Sequence, residues 1–207
     1  MSGNTVQVMS IQRQQVNPSL LQLYSDQYRF TDAEIDRVLE RFFIRRLRKK
    51  DHYLEAGDVC RYKAYINKGC TRTYVVDAAG HERILLFSFE DWWVGDIESY
   101  QTQLPCRNSV QAMEDTELLL IQRDDFIRLE QEIPKLREVN QSKINRMANA
   151  MWTRLAEEKT STPEERYLHL LQHQPHIIER IPLQYVAAYL NIEPQSLSRL
   201  RRRLSKH

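Results

Sequence analysis

The stretch IPLQYVAAYLNIEPQSLSRLRRRL, residues 181–204, decides how this chain is read. Val186, Ala187 and Leu190 fall on one face of a short helix, and the small Ala187 lets a second helix cross close by. Asn191 stands where the turn needs a left-handed residue, a conformation that Asn tolerates better than most non-glycine residues. Ile192 plugs the corner, and Pro194 suits the first position of the next helix. In that helix Leu197, Leu200 and Leu204 face inward. At about 100° per residue, Gln195, Ser198, Arg199, Arg202 and Lys206 fall on the opposite side, with Ser196 at the edge near the N-terminus. Arg reads guanine, Gln reads adenine, and Ser and Lys grip mainly the backbone, so this is a helix-turn-helix with a DNA-reading face. The plainer alternative is a two-helix hairpin with a basic solvent face.

Charge distribution favours the first reading. Residues 163–207 carry seven Lys/Arg against four Asp/Glu, whereas the other 162 residues carry 23 against 24. The last nine residues hold Arg199, Arg201, Arg202, Arg203 and Lys206 and no acid, which points to a polyanion at this end.

Moving toward the N-terminus, Thr162, Pro163 and Glu165 make a capping box with proline at the first helical position, which places a domain boundary at 160/161. Before it, Lys135 to about Lys159 forms one helix of about 25 residues, roughly 37 Å long. Leu136, Val139, Ile144, Met147, Met151 and Leu155 make its apolar stripe. A core-facing stripe and a dimer seam fit that pattern equally; the DNA-reading end favours the seam. A shorter helix through Phe126, Ile127 and Leu129 ends near Pro134.

From Asp51 to Ile121 the texture is that of short strands: 61–66, 70–76, 83–89, 107–112 and 117–121. Turn signals at 55–58, 67–69, 77–80 and 114–116 separate them, as in a small antiparallel barrel or jelly roll. Upstream, Thr31 and Glu34 form another capping box, and Ile35, Val38, Leu39, Phe42 and Phe43 recur at helical spacing. The helix is expected to continue through the basic run 41–50, which reads as a solvated face rather than a second nucleic-acid contact. Residues 1–27 read as an N-terminal arm or a short leading helix.

Composition excludes other classes. A hydrophobic fraction of 42% with 28% charged residues is that of a globular protein, and no apolar run reaches the roughly 20 residues of a membrane span. The N-terminus lacks an apolar signal core, so a cytoplasmic location is expected. Cys60, Cys70 and Cys106 are odd in number and far apart, which suits small buried hydrophobes rather than disulfides or a metal site. His52, His81 and His169 are scattered, and neither a nucleophile elbow nor a phosphate loop is present, which argues against an enzyme on a cupin-like roll and against a resident metal.

Over about residues 28–207 the chain resembles the Crp/Fnr family of regulators. Glu55-Ala-Gly57, Tyr65-Ile-Asn-Lys-Gly69, Val76-Asp-Ala-Ala-Gly80 and Val94-Gly95-Asp96 match the family's barrel glycines. The resemblance implies an α+β architecture: a cyclic-nucleotide-binding-like antiparallel β-barrel (jelly roll) over 28–134, a long dimerisation helix over 135–160, and an all-α helix-turn-helix domain over 161–207. It places a ligand pocket at Gly95, Asp96, Ile97, Arg107 and Asn108. Cyclic-nucleotide binders carry Gly-Glu and Arg-Ser/Thr where this chain has Gly95-Asp96 and Arg107-Asn108, which argues against cyclic AMP and leaves any other effector unnamed. The recognition helix also departs, with Pro194-Gln-Ser-Leu-Ser-Arg199 in place of Arg-Glu-Thr-x-x-Arg. The implied partners are double-stranded DNA, a second copy of the chain and RNA polymerase. The competing reading is a small-molecule or nucleotide sensor that acts without touching DNA.

Overall fold

The computed structural model describes residues 11–204; Lys206, assigned above to the DNA face, lies outside them. The fold is α+β, an antiparallel jelly roll joined by a long helix to a helical C-terminal region. By internal contacts the chain divides into two compact units, one comprising residues up to Thr71 with Ser88–Lys143, the other Arg72–Phe87 with Ile144 onward. The division falls inside the long helix rather than at either end of it.

The first unit opens with a short helix α1 (Pro18–Gln22), capped by Asn17, which runs into a wider turn at Leu23–Gln27. Of the segment 1–27, read as an arm or a short leading helix, residues 1–10 lie outside the described residues, and the rest contains this short helix. Ile11, Val16, Leu20 and Tyr24 are buried in a shared core, so burial of their apolar area overcomes the weak helix-forming tendency of a five-residue segment. Helix α2 (Asp32–Leu39) begins at the expected capping box, with the Glu34 amide 3.2 Å from Thr31 Oγ1 and the Thr31 amide 2.7 Å from Glu34 Oε2.

One expectation fails here. The helix does not continue through the basic run, because α2 ends at Leu39 and Phe43–Leu47 form strand β1. Phe43, Ile44 and Leu47 suit a strand, and β1 pairs antiparallel with β8 (Thr116–Gln122) from Phe43↔Leu120 to Leu47↔Thr116. That pairing partner lies 69 to 77 residues away along the chain and overrides the local helical spacing. Strand β3 (Tyr62–Lys68) pairs on the other side of β8, and β6 (Trp93–Val94) adds to β3, giving the order β1-β8-β3-β6. β2 (His52–Leu54) pairs with β7 (Ser109–Ala112).

The sheet buries residues on both faces. Leu118 and Leu120 point into the roll with Tyr53, Cys60, Ile66, Val94 and Val110. Leu119, Ile121 and Tyr65 point outward into the core formed by the N-terminal helices, α4 (Arg123–Glu132) and the start of α5 (Lys135–Thr160). Gly69 closes the turn after β3 at φ +99, where a Cβ would stand 2.8 Å from the Thr116 Cα. All three cysteines are buried, and none of them forms a disulfide.

The second unit contains the hairpin of β4 (Thr71–Val76) and β5 (Glu82–Ser88), closed by Asp77, whose carboxylate accepts from the Ala79 and His81 amides. It also holds the rest of α5 and four short helices: α6 (Pro163–His173), α7 (Pro175–Arg180), α8 (Leu183–Tyr189) and α9 (Pro194–Leu204). Helix α6 starts at the Thr162–Glu165 capping box. Among the described residues, no helix is long and apolar enough to cross a membrane.

Candidate nucleic-acid interface and ligand loop

Helices α8 and α9 meet as the sequence requires. Val186 and Ala187 are fully buried, Leu190 nearly so, and Leu197 and Leu200 pack from α9. Asn191 takes φ +55, and the Ile192 amide donates back to the Ala187 carbonyl at 3.0 Å, which closes the corner. Asn191 Nδ2 also reaches Glu158 Oε1 on α5 at 2.9 Å.

With that packing, Gln195, Ser198, Arg199 and Arg202 are exposed and Ser196 is half-buried. Arg199 donates to Ser196 Oγ at 3.2 Å, so two of the expected DNA contacts are already aligned one helical turn apart. Arg203 pairs with Glu164 on α6. Arg201, Arg202 and Ser198 border a hollow of about 520 Å³ with Tyr167 and Leu171. The arrangement offers hydroxyl, amide and guanidinium donors along one helix, a set that suits base edges and phosphates.

A set of contacts around α8 escaped the sequence reading. The Arg72 guanidinium, in a side chain only 4% exposed, lies 4.3 Å from the Tyr74 ring and 4.6 Å from the Tyr185 ring, and it pairs with Glu82. Phe87 packs on Tyr189 with ring centres 5.1 Å apart. Arg154, from α5, stacks on Tyr189 at 4.1 Å and donates to the Leu85 and Tyr189 carbonyls at 2.5 and 3.0 Å. The first helix of the pair is thus held between the β4–β5 hairpin and α5. Alternating strand positions and a lone arginine in a long helix carry no local mark of such contacts.

The stripe on α5 divides into two parts. Leu136 and Val139 are buried in the core of their own chain and leave no open seam there. Ile144 and Met147 are half-buried, while Met151 and Leu155 are exposed at 43% and 47%, beside Trp152 at 69%. The apolar face left open therefore begins near Ile144 and includes a tryptophan outside the predicted stripe.

The predicted ligand residues lie on one loop, Gly95 to Asn108, which contains helix α3 (Ile97–Thr102). Asp96 is buried and its carboxylate caps α3, accepting from the Ser99 amide at 2.8 Å. Ser99 Oγ accepts from the Cys60 amide at 2.9 Å and donates to the Leu104 carbonyl at 2.5 Å. Cys106 Sγ donates to the Glu55 and Asn108 carbonyls. Gly95 sits at φ +137, where a Cβ would be 3.2 Å from Cys60 Sγ. Ile97 is 36% exposed and Arg107 is exposed. The loop thus brings the five residues together in sequence, yet Asp96 serves the loop itself and Arg107 faces solvent. Trp92 and Tyr100 pack against the apolar interior of the roll.

A hollow of about 930 Å³ lies elsewhere on the same unit, bordered by Phe43, Arg45, Arg46, His52, Tyr53 and Tyr62 among others. Arg45 donates to the His52 carbonyl at 3.3 Å, and Arg46 pairs with Glu117 at 3.0 Å. Among the described residues, no group of three or more His, Cys, Asp or Glu side chains is placed to hold a metal ion.

Residues 44–132 match the cyclic nucleotide-binding domain family. Among curated proteins none matches the chain. Solved structures share its fold at low identity. FixK2 from Bradyrhizobium japonicum superposes with a TM-score of 0.69 at 14% identity, covering 80% of this chain and 85% of that one. The c-di-GMP responsive global regulator CLP of Xanthomonas campestris gives 0.70 at 15%, covering 85% and 92%. The catabolite activator protein of Thermus thermophilus gives 0.53 at 21%, covering 89% and 86%. The fold is that of Crp/Fnr-type regulators.

Proposed function

We propose that this chain is a Crp/Fnr-type transcription regulator that binds duplex DNA as a homodimer, with α9 in the major groove and a sensor roll that does not take cyclic AMP. The observation that carries the reading is the exposed polar face of α9, on which Gln195, Ser196, Ser198, Arg199 and Arg202 share one side of a helix whose other side is locked by Leu197 and Leu200. A two-fold pair of such helices reaches successive major grooves about 34 Å apart, on a near-palindromic site. The open part of α5 from Ile144 to Leu155 supports the pairing of two copies, since an apolar stripe of this kind is costly to leave in water.

The sensor reading rests on Asp96 and Arg107. A carboxylate already engaged as a helix cap and an arginine turned to solvent offer no ready clamp for a ribose and a cyclic phosphate. An effector of another kind acts only by favouring one arrangement of the helices over another. The remaining partner in this reading is RNA polymerase, and the location is the cytoplasm; the chemistry is binding rather than catalysis.

The test is binding to duplexes selected from a random pool, measured by anisotropy at two salt concentrations. Wild type should show a steep loss of affinity with salt, and Arg199→Ala should bind its selected site about ten- to a hundredfold more weakly. Failure of the wild type to enrich any duplex would favour a sensor that acts without DNA. An unchanged affinity in Arg199→Ala would remove that residue from the contact.

A further inference from the structure

Lys63, on β3, plays no part in either site described above, yet its surroundings are unusual. Its ammonium nitrogen lies 5.3 Å from the Trp93 ring, 5.1 Å from Tyr100 and 4.7 Å from Phe126, so three aromatic faces enclose it. Its amine donates to Asn140 Oδ1 on α5 at 2.5 Å, and Asn140 Nδ2 passes the connection to Glu130 Oε1 on α4 at 2.8 Å. One side chain therefore joins the sheet, the ligand-loop helix α3 through Tyr100, α4 through Phe126, and α5 through Asn140. Trp93 Nε1 and Tyr100 Oη, on two of the three enclosing rings, are buried without a hydrogen-bond partner.

We propose that Lys63 is a proton-responsive tie between the ligand loop and the connector helix α5, closed when its amine is neutral and loosened when it is charged. Geometry supplies the reason. An ammonium carries three donors and a strong need for water, and this cage, which leaves Lys63 half-buried, surrounds it mainly with one amide oxygen and three ring faces. Cation–π attraction offsets only part of the lost hydration. The neutral amine keeps the Asn140 bond at much smaller desolvation cost.

Burial accordingly pushes the Lys63 amine down to about 8, with Glu130 and Cys60 opposing the shift. Burial pushes the Cys60 thiol and the Tyr100 hydroxyl upward, so both stay protonated near neutral pH. Glu130 is engaged with Asn140, and Arg123 donates to the Tyr100 carbonyl and pairs with Asp124.

The sign follows from linkage. An opened cage returns the amine to its ordinary 10.5, so the open form binds more protons than the closed form between pH 8 and 10.5. The closed form therefore gains on the open form as pH rises, by about tenfold between pH 7 and pH 9.

Amide hydrogen exchange of the whole chain reads this directly, as protection factors for peptides covering 135–143, corrected for the intrinsic pH dependence. Wild type should gain about tenfold in protection from pH 7 to pH 9, and Lys63→Met should show the same protection at both. Asn140→Leu, which removes the acceptor and keeps the amine, should move the midpoint of the rise to lower pH. A flat wild-type profile, or a rise shared unchanged by both variants, overturns the tie. No DNA enters the measurement, so its outcome is independent of the proposed function; only the consequence for pairing along α5 rests on that reading.

Discussion

Gly95 marks the start of the ligand loop, and replacing it with alanine asks how tightly that loop is tied to the roll. Two costs add. At φ +137 the backbone is in a region that side chains rarely adopt, and holding an alanine there costs about 1–3 kcal/mol. The new methyl would then stand 3.2 Å from Cys60 Sγ and 3.8 Å from Tyr53 Cε1, both in buried side chains, so something must yield by a few tenths of an ångström. Crowding of that kind in a packed interior adds about 1 kcal/mol. Gly95→Ala should therefore lose about 3 kcal/mol in urea unfolding followed by circular dichroism, at unchanged m-value. The two costs separate in a double-mutant cycle with Cys60→Ala, which deletes the sulfur. In that background Gly95→Ala should cost about 1 kcal/mol less than in wild type. Equal losses in the two backgrounds would show that the sulfur contact contributes nothing. A total loss below about 1 kcal/mol would refute the backbone argument as well.

Thr162→Ala removes the hydroxyl that accepts from the Glu165 amide, and should cost about 1 kcal/mol in the same unfolding assay, with Thr162→Ser close to wild type. Leu155→Glu places a charge in the open stripe of α5 and, if two copies pair there as proposed, should shift sedimentation from two copies toward one, at micromolar concentrations, without changing the circular dichroism; an unchanged mass would refute pairing along this stripe.

What could be read from the chain, and what could not, divides by the range of the interaction that decides it. The capping boxes at Thr31 and Thr162, the left-handed Asn191 and the inward Leu197 and Leu200 of α9 are set by residues within a turn or two, and each is found where the pattern puts it, while Leu204 is only half-buried. Strand β1 looks helical in the sequence because Phe42 and Phe43 extend the spacing of Ile35, Val38 and Leu39, while the partner that decides the matter is Leu120 on β8. Strands β2 and β6, of three and two residues, are too short to show any periodicity. Helix α3 had a readable signal in Asp96, three residues before Ser99 with Glu98 in the first turn, but its role as a cap competes with the family position it occupies. Leu136 and Val139 share a stripe with Met151 and Leu155, and periodicity alone cannot tell the half that meets its own core from the half left open. Lys63 is the extreme case: a lysine at an ordinary strand position becomes unusual only through four elements that the chain brings together from 77 residues apart.

The open stripe of α5 also gives the molecule a built-in optical gauge. Of the three tryptophans, Trp92 and Trp93 are half-buried in the first unit, whereas Trp152 stands 69% exposed among Met151 and Leu155. An indole in water emits further to the red than one covered by apolar neighbours. Covering the stripe would therefore shift emission to the blue, so association should be visible in the unlabelled protein on simple dilution. Trp152→Phe would silence that signal while keeping the apolar surface that generates it.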